Sequence, residues 1–167
     1  MRAKKVTTLA LLTATAMILS YVESLLPSVG VPGVKLGLAN IAVIFALYRL
    51  GGKSALAVSV VRVFMVTLLF GSLSALLYSL AGAGLSLVVM ALLRRSDRFS
   101  SVGVSVAGGV AHNAGQILMA MLLLGSARVA YYYPILVISG VAGGVFTGLT
   151  AALLIRRVPS DGSGPRR

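Results

Sequence analysis

The stretch SALAVSVVRVFMVTLLFGSLSALLYSLAGAGLSLVVMALL, residues 54–93, indicates the fold class because it is apolar throughout and carries one charged residue, Arg62. A membrane-spanning helix needs about 20 predominantly apolar residues, and this stretch is roughly twice that length. Gly71 and Ser72 stand near its middle and favour a turn there. The stretch therefore predicts two membrane-spanning helices joined by a short connection.

The rest of the chain has the same character. Hydrophobic residues make up 58% of the 167 residues and charged residues 11%, against about 25% charged residues in an ordinary soluble domain. So small a domain cannot hide this much apolar surface from water. The composition excludes a soluble globular protein, and it excludes disorder, which needs low hydrophobicity. An all-α, polytopic membrane protein remains.

Apolar runs separated by breakers predict six transmembrane helices. Pro27 and Pro32 interrupt the chain after the first helix, and the pair Gly51 and Gly52 interrupts it after the second. We assign residues 1–158 to one transmembrane domain and expect a disordered cytoplasmic tail at 159–167. The predicted helices lie at about 6–26, 36–49, 53–70, 73–93, 102–124 and 132–155.

The basic residues predict the orientation. Cytoplasmic segments of membrane proteins carry an excess of Lys and Arg. With both termini cytoplasmic, the outer side holds only Lys35 and Arg128, and Arg62 lies within the membrane. The other twelve of the 15 basic residues then lie inside: Arg2, Lys4, Lys5, Arg49, Lys53, Arg94, Arg95, Arg98, Arg156, Arg157, Arg166 and Arg167. We predict a multi-pass protein of the cell membrane.

Two alternatives concern the charge and the N-terminus. A net charge of +12 would suggest nucleic acid, but the basic residues form small clusters at the ends of apolar runs, so we expect a lipid bilayer and no nucleic acid as partner. Residues 2–16 also resemble a signal peptide. We favour a retained first helix because the apolar run continues past Ala16 and cleavage would spoil the alternation of charge.

Arg62 is the most informative single residue. It lies nine residues after Lys53 and nine before Gly71, so either end of the predicted third helix is about 13 Å away. An arginine at that depth costs at least about 2.5 kcal/mol on insertion scales and should face a partner or a wet cavity. Two interpretations stay open: a bridge between helices, and an anion-binding or gating residue.

Further polar side chains occur in the apolar helices. Glu23 is the only acidic residue in a predicted helix, and it either pairs with a cation or contacts a ligand. The fifth helix carries His112, Asn113 and Gln116 within two turns. A lone histidine is usually an interhelical hydrogen-bonding residue, but three polar side chains so close together more often line a cavity.

Other polar residues are predicted at the outer side. The segment 33–41, GVKLGLANI, enters the second helix from there, and residues 131–133 form a tyrosine triplet that also fits an interfacial anchor. We predict an outward-opening, net positive pocket to which Arg128 and the tyrosines contribute. The candidate substrate-binding residues are Glu23, Lys35, Asn40, Arg62, His112, Asn113 and Gln116.

Small residues at a spacing of four indicate helix packing. The last helix has Gly140, Gly144 and Gly148 on one face, and we expect this face to contact a neighbouring helix of the same subunit. The first helix has Ala10 and Ala14 at the same spacing, a weak signal because alanine is common in this chain.

Three segments carry a family resemblance: YVESLLP at 21–27, PGVKLGLANI at 32–41 and AHNAGQ at 111–116. They resemble the Gx transporter family, also labelled heptaprenyl diphosphate synthase component I, over about residues 5–157. That family is similar to the substrate-binding S components of energy-coupling factor (ECF) transporters. The resemblance implies six helices, both termini inside and an outward-facing ligand pocket. It also implies that Ala10 and Ala14 dock a transmembrane coupling subunit.

The synthase label is at odds with the residues present. Prenyl diphosphate synthases bind magnesium through aspartate-rich clusters, because a hard cation on diphosphate needs several carboxylates. This chain has only Glu23, Asp97 and Asp161, on different sides of the predicted membrane. With no cysteine and one histidine it also has no multi-Cys or multi-His site. We predict no catalytic residues, no metal and no cofactor.

Three functions remain in order of preference. The first is a non-catalytic, substrate-binding subunit for uptake of a small solute, which the surplus of basic residues favours as anionic or zwitterionic. Since no phosphate-binding P-loop motif occurs, its energy would come from partner ATPases or an ion gradient. The alternative is an accessory membrane subunit in prenyl lipid synthesis, and the third is a structural partner of a membrane redox complex.

Overall fold

The computed structural model describes residues 2–25, 36–96 and 98–158. Within these residues the chain forms six α-helices and one short 3₁₀ helix at Ala127–Tyr132, with no strand. Lys35, Asp97 and the predicted tail at 159–167 lie outside the described residues. The α-helices are α1 Arg2–Leu25, α2 Asn40–Leu50, α3 Gly52–Phe70, α4 Leu73–Arg95, α5 Ser101–Leu124 and α6 Tyr133–Arg157.

The predicted turn at Gly71 and Ser72 is confirmed. The Gly71 N–H donates to Thr67 O at 2.9 Å and closes α3, and the Ser72 hydroxyl accepts the Ala75 N–H at 3.2 Å and caps α4. A side chain at position 71 would place its first carbon 2.8 Å from the Thr67 Cα, so glycine is needed there. These two residues turn one long apolar stretch into two helices.

The second helix is shorter than predicted. It begins at Asn40 and not near residue 36, because Gly37 adopts a left-handed conformation (φ 72°) and its carbonyl accepts the Asn40 N–H in a turn. At 1.5 Å per residue α2 is about 16 Å long, too short to cross a hydrocarbon core of about 30 Å as a helix. The other five α-helices are long and apolar enough to cross a membrane.

The short helix α2 nevertheless lies at the centre of the bundle. Six of its eleven residues are buried, and Val43, Ile44 and Leu47 are among the largest fully buried side chains. It packs against α1, α3 and α6. The long helices, in contrast, expose leucines such as Leu68 and Leu122, as expected for surfaces in contact with lipid.

Glycines bring α4, α5 and α6 into close contact. A side-chain carbon on Gly144 would lie 2.5 Å from the Val106 Cα, and one on Gly140 would lie 3.0 Å from the Gly109 backbone. The predicted packing face of α6 is therefore a contact with α5 of the same subunit. On the other side of α5, Gly115 approaches the backbone of Ala81 in α4 just as closely.

Two arginines join α2 to its neighbours at one end of the bundle. Arg49 donates to the carbonyls of Ile155 and Val158, and Arg94 donates to those of Leu47 and Tyr48. The Arg94 guanidinium also lies over the Tyr48 ring, 5.1 Å from its centroid. We call this the basic end, because α2 and α4 finish there in basic residues and α6 finishes in Arg156 and Arg157. The opposite end, where α3 ends at Phe70, we call the far end.

Candidate functional site

One cavity of about 290 Å³ lies among the helices. Every α-helix contributes to its wall, and the wall extends from Ser24 and Gly71 at the far end inward to Met90 on α4. Ligand pockets in proteins typically start at about 300 Å³. The cavity therefore suits a small ligand held within the bundle.

Six of the seven candidate substrate-binding residues line this cavity, and Lys35 is the one that lies outside the described residues. Because the six come from four helices, only the tertiary structure brings them together. A role for them in binding substrate stays a prediction. The six are Glu23, Asn40, Arg62, His112, Asn113 and Gln116.

The expected contribution of Arg128 and the tyrosines to the pocket is wrong. These residues lie on and beside the 3₁₀ helix, and none of them is among the described residues that line the cavity. Tyr131 is 85% exposed. Gly125, in a left-handed conformation, ends α5 and directs the following chain over the surface.

Arg62 is held between α1 and α3. One terminal nitrogen donates to the Ser20 hydroxyl at 3.3 Å, and the Glu23 carboxylate is near enough to attract the guanidinium. Its Nε–H is buried without a hydrogen-bond partner. Both interpretations of Arg62 thus have support: it bridges two helices, and it keeps a donor available on a side chain that lines the cavity.

Glu23 connects α1 with the chain that leads into α2. Its carboxylate accepts the Gly37 N–H at 2.5 Å. The guanidinium that attracts Glu23 is that of Arg62. The carboxylate therefore serves a structural bond and lines the cavity at the same time.

Asn113 is used for helix packing. Its amide nitrogen donates to Leu136 O at 2.6 Å and to the Ser139 hydroxyl at 3.3 Å, and both partners lie on α6. The side chain is buried and joins α5 to α6 at the cavity wall. The amide nitrogen already donates two hydrogen bonds to α6 and is therefore not available to a ligand.

His112 and Gln116 pack on α4 through Gly82. A side-chain carbon at position 82 would lie 2.9 Å from the His112 carbonyl oxygen and 3.0 Å from the Gln116 Cγ. The absence of a side chain at Gly82 therefore gives both polar residues room at the cavity wall. His112 and Gln116 therefore lie against the same part of α4.

The sequence reasoning missed the hydroxyl groups of the inner cavity. Ser59, Ser86 and Thr147 are buried and line the cavity, and the Ser86 Oγ has no hydrogen-bond partner. The signal that could have found Ser86 is its spacing of seven from Ser79, since residues seven apart share a helix face and both serines line the cavity.

Ala10 and Ala14 lie away from the cavity. Both are exposed on α1, which is the least buried of the long helices. Neighbouring Ala16, in contrast, is fully buried in the core. The part of α1 around Ala10 and Ala14 is therefore exposed in the described part of the subunit.

Long apolar helices around a cavity that Arg62 lines are typical of an integral-membrane protein with an internal cavity. The family model of heptaprenyl diphosphate synthase component I matches residues 12–154, so the chain belongs to that family. The designation "component I" implies a system of more than one component. No curated protein and no solved structure matches the chain.

Proposed function

We propose that this protein is a substrate-binding subunit of a small-solute uptake transporter of the S-component kind. It resides in the cell membrane, captures its solute in the cavity and depends on partner subunits for energy. The observation that carries the proposal is the buried Arg62 Nε–H, which lacks a partner although it belongs to a residue of the cavity wall. Buried donors in proteins are nearly always hydrogen-bonded, so a partner for this one, a ligand atom or a water, is expected at the cavity wall.

Six membrane passes with both termini cytoplasmic fit this function. The helix α2 is too short to span alone, but non-helical backbone is tolerated at membrane depth where it lines a cavity, as Leu36 and Gly37 do. The clustering of basic residues at the basic end then orients that end towards the cytoplasm. The cavity wall at the far end, near Gly71, lies towards the exterior.

Non-catalytic binding is consistent with the chemistry of the cavity. Glu23 is the only carboxylate among its described lining residues, and one carboxylate is too few for a magnesium diphosphate site. The sequence also has no P-loop, so we propose that the energy for uptake comes from partner ATPases or from an ion gradient.

The exposed face of α1 is the proposed contact with the transmembrane coupling subunit. Ala10 and Ala14 let another helix approach closely, because a small side chain holds the two backbones apart least. Their exposure and the low burial of α1 support this role.

Native mass spectrometry of the full chain released from its own membranes tests the function. We expect a bound solute of low mass and additional subunits in the same assembly. An Arg62→Gln variant is expected to lose the solute and keep the subunits, with Lys53→Gln, an exposed cation at the basic end, as the matched control. A lone chain that carries no solute in native membranes would contradict the proposal.

The family designation favours a second candidate, an accessory membrane subunit of a prenyl diphosphate synthase. In that case the apolar part of the cavity would contact a prenyl chain. Prenyl transfer that requires the full chain together with a soluble synthase component would support this candidate. Prenyl transfer by the isolated chain would contradict the argument from its carboxylates.

A further inference from the structure

We propose that the cavity selects a small zwitterion, whose anionic group contacts Arg62 and whose ammonium group contacts Glu23. The inference rests on the proposed function and names the class of solute. It also assigns a role to Ser86 at the inner end of the cavity.

The charges of the described part of the cavity wall favour a ligand of no net charge. Arg62 and Glu23 are the only Lys, Arg, Asp or Glu among the described residues that line it, and these two charges cancel. A net charge brought into an apolar surrounding is unfavourable unless it is paired. An anion alone would satisfy Arg62 but leave the site with an excess negative charge, whereas a zwitterion adds none.

The two charged groups lie close together. Arg62 contacts Ser20, and Glu23 follows Ser20 by three residues on the same face of α1, a rise of about 4.5 Å along the helix axis. The ammonium and the oxyanion of the ligand must therefore lie within a few bonds of each other. An amino acid has this arrangement.

Three buried side-chain atoms of the described residues lack a hydrogen-bond partner: the Arg49 Nε, which does not line the cavity, and two donors of cavity-lining residues, which we use to set the direction of the ligand. The Arg62 Nε–H is one, and the Ser86 hydroxyl on α4 is the other. Ser86 lies deeper in the cavity, beside the apolar side chains of Leu87 and Met90, which also line it. The charged end of the ligand thus points to α1, and the rest of the ligand points to α4. There Ser86 forms a hydrogen bond with an oxygen or nitrogen atom of the ligand.

The experiment uses the full chain in lipid nanodiscs and a panel of the protein amino acids. Each amino acid is compared with its N-acetyl form, which is an anion, and its methyl ester, which is a cation. Binding is measured by thermal shift and by native mass spectrometry. We expect at least one amino acid to bind, and both of its derivatives to bind at least tenfold more weakly.

The variants separate the two charged contacts. Glu23→Gln keeps an acceptor for the Gly37 N–H but removes the charge, so we expect the preference for the amino acid over its N-acetyl form to fall at least tenfold. Arg62→Gln should abolish binding of both. Ser86→Ala should weaken binding about fivefold or more, while Ser96→Ala, at the exposed end of α4, should leave it unchanged.

Two results overturn the zwitterion inference: equal binding of an amino acid and its N-acetyl form, and binding of none of the panel. The proposed function has its own test, which is whether a solute remains bound to the chain when it is released from native membranes. A native solute without an ammonium group would leave the subunit a solute-binding protein and refute the zwitterion. The absence of any native solute would refute both.

Discussion

The Glu23 carboxylate accepts the Gly37 backbone N–H at 2.5 Å and thereby joins the end of α1 to the chain that enters α2. The same wall of the cavity needs Gly143 on α6, because a side-chain carbon there would lie 2.7 Å from the Leu36 carbonyl oxygen. A single acidic side chain thus positions non-helical backbone at the cavity and balances the charge of Arg62.

Replacing Glu23 should loosen this wall. A hydrogen bond to a charged group contributes about 1.5–3 kcal/mol, so Glu23→Ala should increase amide hydrogen exchange at residues 36–40 at least tenfold. Glu23→Gln keeps a neutral acceptor and should have a smaller effect. Hydrogen exchange with mass spectrometry measures both, with residues 102–106 of α5 as an internal reference. Unchanged exchange in Glu23→Ala would show that the bond does not hold the segment.

Arg62→Ala distinguishes a binding residue from a structural one. Removing a charge from mid-membrane favours insertion by about 2.5 kcal/mol, so the variant should accumulate in membranes at wild-type level. Its solute occupancy, measured by native mass spectrometry, should fall at least tenfold. If the variant fails to accumulate in membranes, Arg62 has a structural role as a bridge from α3 to Ser20 on α1.

Asn113 and Gln116 should behave differently, although both line the cavity. Asn113→Ala removes two hydrogen bonds to α6 and should lower the free energy of unfolding by about 1 kcal/mol. Gln116→Ala should leave the thermal midpoint of the empty protein unchanged and reduce solute binding. Thermal unfolding in detergent and solute occupancy are the two measurements. A stable Asn113→Ala variant would contradict the packing role.

Gly144→Ala should destabilise the pair α5–α6, because the new methyl group would lie 2.5 Å from the Val106 Cα. Overpacking of this kind costs about 1–3 kcal/mol. Gly84→Ala is the matched control, since it lies in the interior of α4 with nothing within 4 Å of the added carbon. The control should unfold at the wild-type temperature or slightly above. Equal midpoints for the two variants would argue against close contact at Gly144.

Ala14→Leu should weaken association with a coupling subunit and leave the chain itself stable, because Ala14 is exposed. Ala16→Leu is its counterpart on the same helix: Ala16 is fully buried, so the larger side chain should lower the thermal midpoint. Co-purification of partner subunits and thermal unfolding measure the two effects. If partner subunits co-purify with the Ala14→Leu variant as well as with the wild type, the exposed face of α1 is not the docking surface.

Much of the fold followed from local sequence. The apolar run at 54–93 divides at Gly71 and Ser72. Gly71 packs against Thr67 and Ser72 caps Ala75, so both contacts are with residues close in sequence. The predicted start of α2 is wrong because Gly37 is left-handed and its carbonyl accepts the Asn40 N–H, and Gly37 also donates its own N–H to Glu23 on another helix. Contacts of this kind leave no local pattern.

The candidate site was only partly predictable. Arg62, His112 and Gln116 stood out because polar groups in apolar helices must avoid lipid. Ser86 did not, because serine is common in membrane helices and its unpartnered hydroxyl becomes evident only when the surrounding helices are in place.

Composition and residue spacing were enough to predict membrane-spanning helices, their approximate positions and the polar residues that had to avoid lipid. These follow from transfer free energies, which depend on composition and on spacing along a helix. Tertiary structure alone decided that Glu23 balances Arg62, that Asn113 belongs to the α5–α6 contact, and that Arg128 and the tyrosines lie outside the cavity. These relationships depend on the distances between helices, and the spacing of residues along the chain does not reveal those distances.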